Sequence, residues 1–131
     1  MNDILVVDDD ALTRSLISEW LTQAGYGVRQ AEHGEAALAM LRAEPARLLI
    51  TDMQMPRLNG AETLAVLRRE LPALPVIAMS AGFGSKRGAS PDVAVRLGAR
   101  RVLAKPFACQ DLLTVVREVL RSATPPNGTS C

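Results

Sequence analysis

The chain has 131 residues, the size of a single core that is stable without metal or disulfide staples. A hydrophobic fraction of 48% against 22% charged residues excludes an intrinsically disordered chain. Lys plus Arg number 15 and Asp plus Glu 14, a net charge of +1 with no global pull toward nucleic acid or anionic membrane, and aromatics at 3% argue against a base-stacking surface.

Ile4-Leu5-Val6-Val7 predicts a strand over 4–7, stopped by Asp8-Asp9-Asp10. No basic stretch precedes it, so no signal peptide is read there. Leu12, Leu16, Ile17, Trp20, Leu21 and Ala24 recur at helical spacing, and Gly25 ends that helix. A weaker strand follows at 28–31, then an Ala/Leu-rich helix over 35–43 that Pro45 terminates. Leu48-Leu49-Ile50-Thr51 is a third strand, running into Asp52. Asn59 reads as an N-cap, and Glu62 three residues on completes a capping-box pattern for a helix to about Glu70. A fourth strand is expected at 76–79, and a glycine-rich basic loop at 81–90. Ser90-Pro91-Asp92 opens a short helix that ends at Gly98. A fifth strand over 101–104 and a last helix over 109–121 complete the series. The expected organisation is one domain over 1–122 and a flexible Pro/Gly/Ser tail over 123–131.

Five strand–helix pairs with nearly unbroken Val/Ile/Leu strands predict a parallel sheet buried on both faces. Right-handed crossovers then place helices on both sides, giving a doubly wound α/β domain. Ligands in such sheets bind beyond the carboxyl ends of the strands. Asp8 and Asp9 follow the first strand, Asp52 the third, Ser80 the fourth, and Lys105 with Pro106 the fifth. Three carboxylates, a hydroxyl and an ammonium are thus expected on one edge. The carboxylates repel each other unless a cation joins them. Oxygen-only ligands suit magnesium. Magnesium and a lysine together neutralise a transferring phosphoryl group, and a carboxylate can take that group as an aspartyl-phosphate. An Asp after a strand is often just a helix cap, and for Asp10 that reading stands level with a functional one.

These residues resemble those of the receiver domains of bacterial two-component response regulators, of the single-domain chemotaxis type in length. The resemblance covers about residues 3–122. It rests on Asp8-Asp9, on Thr51-Asp52-Met53-Gln54-Met55-Pro56 with Asn59-Gly60, on Met79-Ser80-Ala81, and on Ala104-Lys105-Pro106-Phe107. It implies a flavodoxin-like, five-stranded sheet in the order 2-1-3-4-5 and a phosphoacceptor at Asp52. It further implies magnesium held by Asp8, Asp9, Asp52 and the carbonyl of Gln54, with Ser80 and Lys105 on the phosphoryl oxygens and a cis Lys105-Pro106 bond. The donor would be a sensor histidine kinase or a histidine phosphotransfer protein. The chain would catalyse its own phosphorylation and dephosphorylation rather than act as an enzyme on other substrates.

With no effector region expected after 122, output would run through contacts with a downstream target protein, not nucleic acid or membrane, unless the chain is an excised receiver. The unphosphorylated chain would be a monomer. A cytoplasmic location fits Cys109 and Cys131, which make no disulfide framework. Two features depart from the family pattern. Val102 stands where the family usually places an aromatic rotamer switch, and the stretch from Ser80 to Lys105 is longer than usual. The loop over 81–90 is therefore expected to carry the conformational change.

Two rival functions are open to sequence. Asp8-Asp9-Asp10 contains the Asp-x-Asp spacing of haloacid-dehalogenase-like phosphatases, and a pseudo-receiver that only binds would keep the same fold. Other signals read as structure. Gly82-x-Gly84 with Gly88 does not have dinucleotide-loop spacing. Lys86, Arg87, Arg96, Arg100 and Arg101 read as solvated charge. Trp20 reads as core, Phe107 as packing beneath the last helix, and His33 as a surface residue.

Overall fold

The computed structural model describes residues 4–53, 60–80, 99–105 and 107–123. Its strands are β1 (Ile4–Val7), β2 (Val28–Ala31), β3 (Leu48–Asp52), β4 (Val76–Ser80) and β5 (Arg101–Ala104). Among the described residues the helices are α1 (Ala11–Gln23), α2 (Gly34–Ala43), α3 (Gly60–Glu70) and α4 (Cys109–Ala123). All strand pairs are parallel, in the order β2-β1-β3-β4-β5. This is the doubly wound, flavodoxin-like sheet expected from the sequence.

Alternation of side chains along each strand divides the core in two. Leu5, Val7, Leu49 and Ala78 point to one face, where Ala37, Leu38 and Leu41 of α2 and Leu67 of α3 cover them. Ile4, Val6, Leu48, Ile50, Ile77, Met79 and Leu103 point to the other, beneath Ile17 and Leu21 of α1 and Leu112, Val116 and Val119 of α4. Phe107 packs half-buried against this second cluster. All four residues of β1 are buried, as are the four apolar residues of β4. That explains why these strands read as unbroken apolar runs rather than alternating ones.

The end of α1 follows directly from Gly25, whose φ of +100° is left-handed. The N–H of Gly25 donates to the Thr22 carbonyl and that of Tyr26 to the Leu21 carbonyl, both at 3.0 Å, the two bonds of a Schellman motif. The start of α1 corrects the sequence reading. Leu12 is 82% exposed and Leu16 46%. The buried stripe is Ile17, Ser18 and Leu21. Leu16 precedes Ile17 by one residue, a rotation of about 100° that turns it off the sheet. Trp20 is half-buried against the second cluster rather than enclosed in it. His33 is a cap, not a plain surface residue: its Nδ1 accepts the Ala36 N–H at 3.1 Å. Helix α4 runs two residues beyond the expected 121, to Ala123.

Several expectations fall outside the described residues: the Asn59 cap, the loop over 81–90, the short helix over 91–98, the geometry of the Lys105-Pro106 bond, and the tail after 123. No helix among the described residues is long and apolar enough to cross a membrane.

Candidate phosphoryl-acceptor and metal site

Parallel pairing aligns the carboxyl ends of the strands. Val7 pairs with Thr51, Asp52 with Met79, and Ser80 with Ala104. The residues that leave β1, end β3 and follow β5 therefore meet at one edge. Asp8 is wholly buried there and Asp52 is 5% exposed, whereas Asp9 faces solvent. One carboxylate oxygen from each of Asp8, Asp9 and Asp52 lies within 4.8 Å of the others.

Two buried carboxylates need a counter-charge, and Lys105 supplies it. Its Nζ donates to Asp8 Oδ2 at 2.8 Å and to Asp52 Oδ2 at 3.1 Å. Burial pushes the Lys105 ammonium toward losing its proton. The hydrogen bond to Asp8 and the charges of Asp52 and Asp8 outweigh burial, so its pKa is raised above the ordinary lysine value. Lys105 is therefore a fixed cation at neutral pH.

The remaining bonds hold the acidic turn. Asp8 Oδ1 accepts the Asp10 N–H at 2.9 Å, and the Asp8 carbonyl accepts Arg14 Nη1 at 2.7 Å. Asp10 occupies the N-cap position of α1 but makes no side-chain cap bond. It accepts the Thr13 hydroxyl instead, and this bond is the main reason its carboxyl sits below the usual range. The hydroxyl of Thr51, at 3.2 Å, donates to the carbonyl of Asp52.

Residues 4–117 match the model of the response regulator receiver domain family. The chain belongs to that family. This receiver is 37% identical over 126 residues to response regulator MprA of Mycolicibacterium vanbaalenii, covering 95% of this chain and 53% of that protein. It is 41% identical over 123 residues to transcriptional regulatory protein CpxR of Klebsiella pneumoniae, covering 92% and 50%. The chain thus spans about half the length of these curated relatives. Among solved structures, the receiver domain of NtrX from Brucella abortus superposes with a TM-score of 0.84 at 34% identity, covering 92% of this chain and 99% of that one. Chemotaxis protein CheY4 of Vibrio cholerae gives 0.81 at 29% identity, covering 91% and 98%.

The receiver's acidic cluster is capable of metal coordination and supports phosphorylation-based signalling. Membership also implies interaction with a cognate histidine kinase or phosphotransfer protein. The phosphatase alternative is set aside with it, and Asp10, engaged with Thr13 in solvent, is not the second acid of such a motif. Of the residues named from sequence, Asp8, Asp9, Asp52 and Lys105 come together. The backbone of Ser80 ends β4 at the same edge, while Gln54 and the Ser80 side chain lie outside the description. Val102 is half-buried in β5 and packs against the first core cluster. Arg14 was not foreseen. The signal available for it was a long cation in the first turns of the helix that follows the acidic pair.

Three carboxylates with no sulfur or imidazole among them form a hard donor set, which fits magnesium. Both oxygens of Asp8 already hold a donor, so its share in a metal site suits contact through water better than direct displacement.

Proposed function

We propose that this receiver accepts a phosphoryl group on Asp52 from a phosphohistidine and signals by contact with a target protein. One observation carries the reading: the Lys105 ammonium lies between the buried carboxylates of Asp8 and Asp52, with Asp9 beside them. Asp8, Asp9, Asp52 and the Gln54 carbonyl would hold magnesium, which would supply positive charge against the oxygens of the transferring group. An oxygen of Asp52 attacks phosphorus in line as the bond to the donor imidazole nitrogen breaks. The imidazole departs with the electron pair and takes up a proton. Lys105 donates to a phosphoryl oxygen as a point charge, and the Ser80 hydroxyl donates to another. Water attack on the acyl phosphate reverses the state.

The receiver folds as one unit that includes α4 to Ala123 and works in the cytoplasm, signalling to proteins rather than to nucleic acid or membrane. The unphosphorylated receiver is a monomer. Sedimentation velocity should show a single species of monomer mass, and a dimer that persists on dilution would contradict this.

Incubation with acetyl phosphate and magnesium, followed by intact mass, tests the function. A gain of one phosphoryl group that a chelator prevents is expected. No gain at any magnesium concentration would reject the proposal in favour of a binding-only receiver. Asp9→Ala removes one charged oxygen ligand and should weaken magnesium about tenfold, while leaving the apo fold as stable or more so because a crowding charge is gone. Titration calorimetry and a melt without metal check both parts. Unchanged magnesium affinity would remove Asp9 from the ligand set.

A further inference from the structure

Asp9 is the exposed member of the acidic trio. Its carboxylate takes no hydrogen bond from a described residue. Besides its own two side-chain torsions, the backbone at Asp8–Asp9 is what places that carboxylate, and Asp8 is tied at every polar atom. Its N–H donates to the Ala31 carbonyl at 3.2 Å. Its Oδ1 and Oδ2 accept from Asp10 and Lys105. Its carbonyl, half of the peptide that leads into Asp9, accepts from Arg14 at 2.7 Å.

That last tie is built, not incidental. Arg14 lies one turn into α1, where its own N–H donates to the Asp10 carbonyl at 3.0 Å. Its guanidinium is aimed by a second acceptor: Nε donates at 3.1 Å to Oε1 of Gln30, the exposed residue of β2. A planar guanidinium held by two acceptors has a fixed orientation that a lysine ammonium would lack. The side chain thereby links the end of β1, the start of α1 and the end of β2.

The charge itself works against the site. A cation beside a cation-binding trio repels the ligand, so its presence is not explained by metal attraction. We infer that Arg14 is a positioning residue: through the Asp8 carbonyl it fixes the Asp8–Asp9 peptide and keeps the Asp9 carboxylate within reach of Asp8 and Asp52. Gln30 orients it. The inference rests on the reading that this trio holds a divalent cation.

The sign of one measurement separates positioning from charge. Magnesium titration by calorimetry uses the whole unphosphorylated chain as wild type, Arg14→Gln, Arg14→Lys and Gln30→Ala. Positioning predicts that Arg14→Gln binds magnesium about tenfold more weakly, the size of effect typical of residues that orient a metal ligand. Arg14→Lys should not restore affinity, because one ammonium does not reproduce the two-acceptor fork. Gln30→Ala, which changes no charge, should weaken binding in the same direction by less. Charge alone predicts the reverse: tighter binding in Arg14→Gln and wild-type binding in Arg14→Lys. Equal or tighter binding by Arg14→Gln, or full rescue by lysine, overturns the inference. Should Arg14→Gln fail to fold, Gln30→Ala decides, and unchanged affinity there overturns it. Acetyl phosphate labelling of wild type keeps the two levels apart. A wild type that binds magnesium and takes the label, with variants unaltered, overturns the role of Arg14 only. A wild type that does neither overturns the reading of the site and this inference together.

Discussion

Asp52→Asn is expected to abolish phosphoryl uptake from acetyl phosphate. The amide keeps the size and shape of the carboxylate but is not a nucleophile toward phosphorus, so the effect is a loss rather than a slowing. Asp52 sits 5% exposed at the end of β3, with its backbone paired to Met79. Those backbone bonds do not depend on the side-chain charge, and Lys105 retains Asp8 as its partner at 2.8 Å. The variant should therefore fold. A melting temperature close to wild type, together with absent label by intact mass, is the expected pair of results. Label at the wild-type level in Asp52→Asn would assign the acceptor elsewhere.

Lys105→Met should be costly twice over. Its ammonium is the partner common to Asp8 and Asp52, whose side chains are 0% and 7% exposed. Removing one partner of a buried ion pair costs roughly 3–5 kcal/mol. The Lys105 side chain is 24% exposed and Asp9 opens the site to water, so screening lowers the expected loss. We expect about 2 kcal/mol, or roughly 6 °C in melting temperature. Added magnesium should return part of that loss, since it binds the folded carboxylates and not the unfolded chain. Phosphoryl uptake should slow by on the order of 100-fold, as when one preorganised charge donor leaves a reacting oxyanion. Calorimetric melts with chelator and with magnesium, alongside a labelling time course, check all three. An unchanged melting temperature in chelator would show that Lys105 does not stabilise the acidic pair.

The parallel sheet was legible because β1, β3 and β4 are apolar runs closed by polar residues, whereas the order of the strands came only from the family resemblance. The acidic site was legible for the same reason: once β1 and β3 are parallel neighbours, Asp8 and Asp52 must emerge at one edge. What the sequence did not reveal depends on rotation and on reach. Leu12 and Leu16 look like members of an apolar stripe, yet the burial direction of α1 is set by Ile17 and Leu21 against the sheet, and the two leucines turn away. His33 takes the cap position although imidazole is not among the usual capping groups, because its Nδ1 reaches the Ala36 N–H. Arg14 acts across sixteen residues of sequence, bonding Gln30 in one direction and Asp8 in the other. No local spacing rule encodes such a contact.

The central claim is that Asp52 carries the phosphoryl group as an acyl phosphate. Reductive trapping with borohydride converts an acyl-phosphorylated aspartate to homoserine, and peptide mass mapping then reads its position. Wild type treated with acetyl phosphate and magnesium should yield homoserine at position 52 and aspartate at positions 8, 9 and 10. Homoserine at one of those three positions, or an acid-stable phosphoester on any residue, would contradict the account.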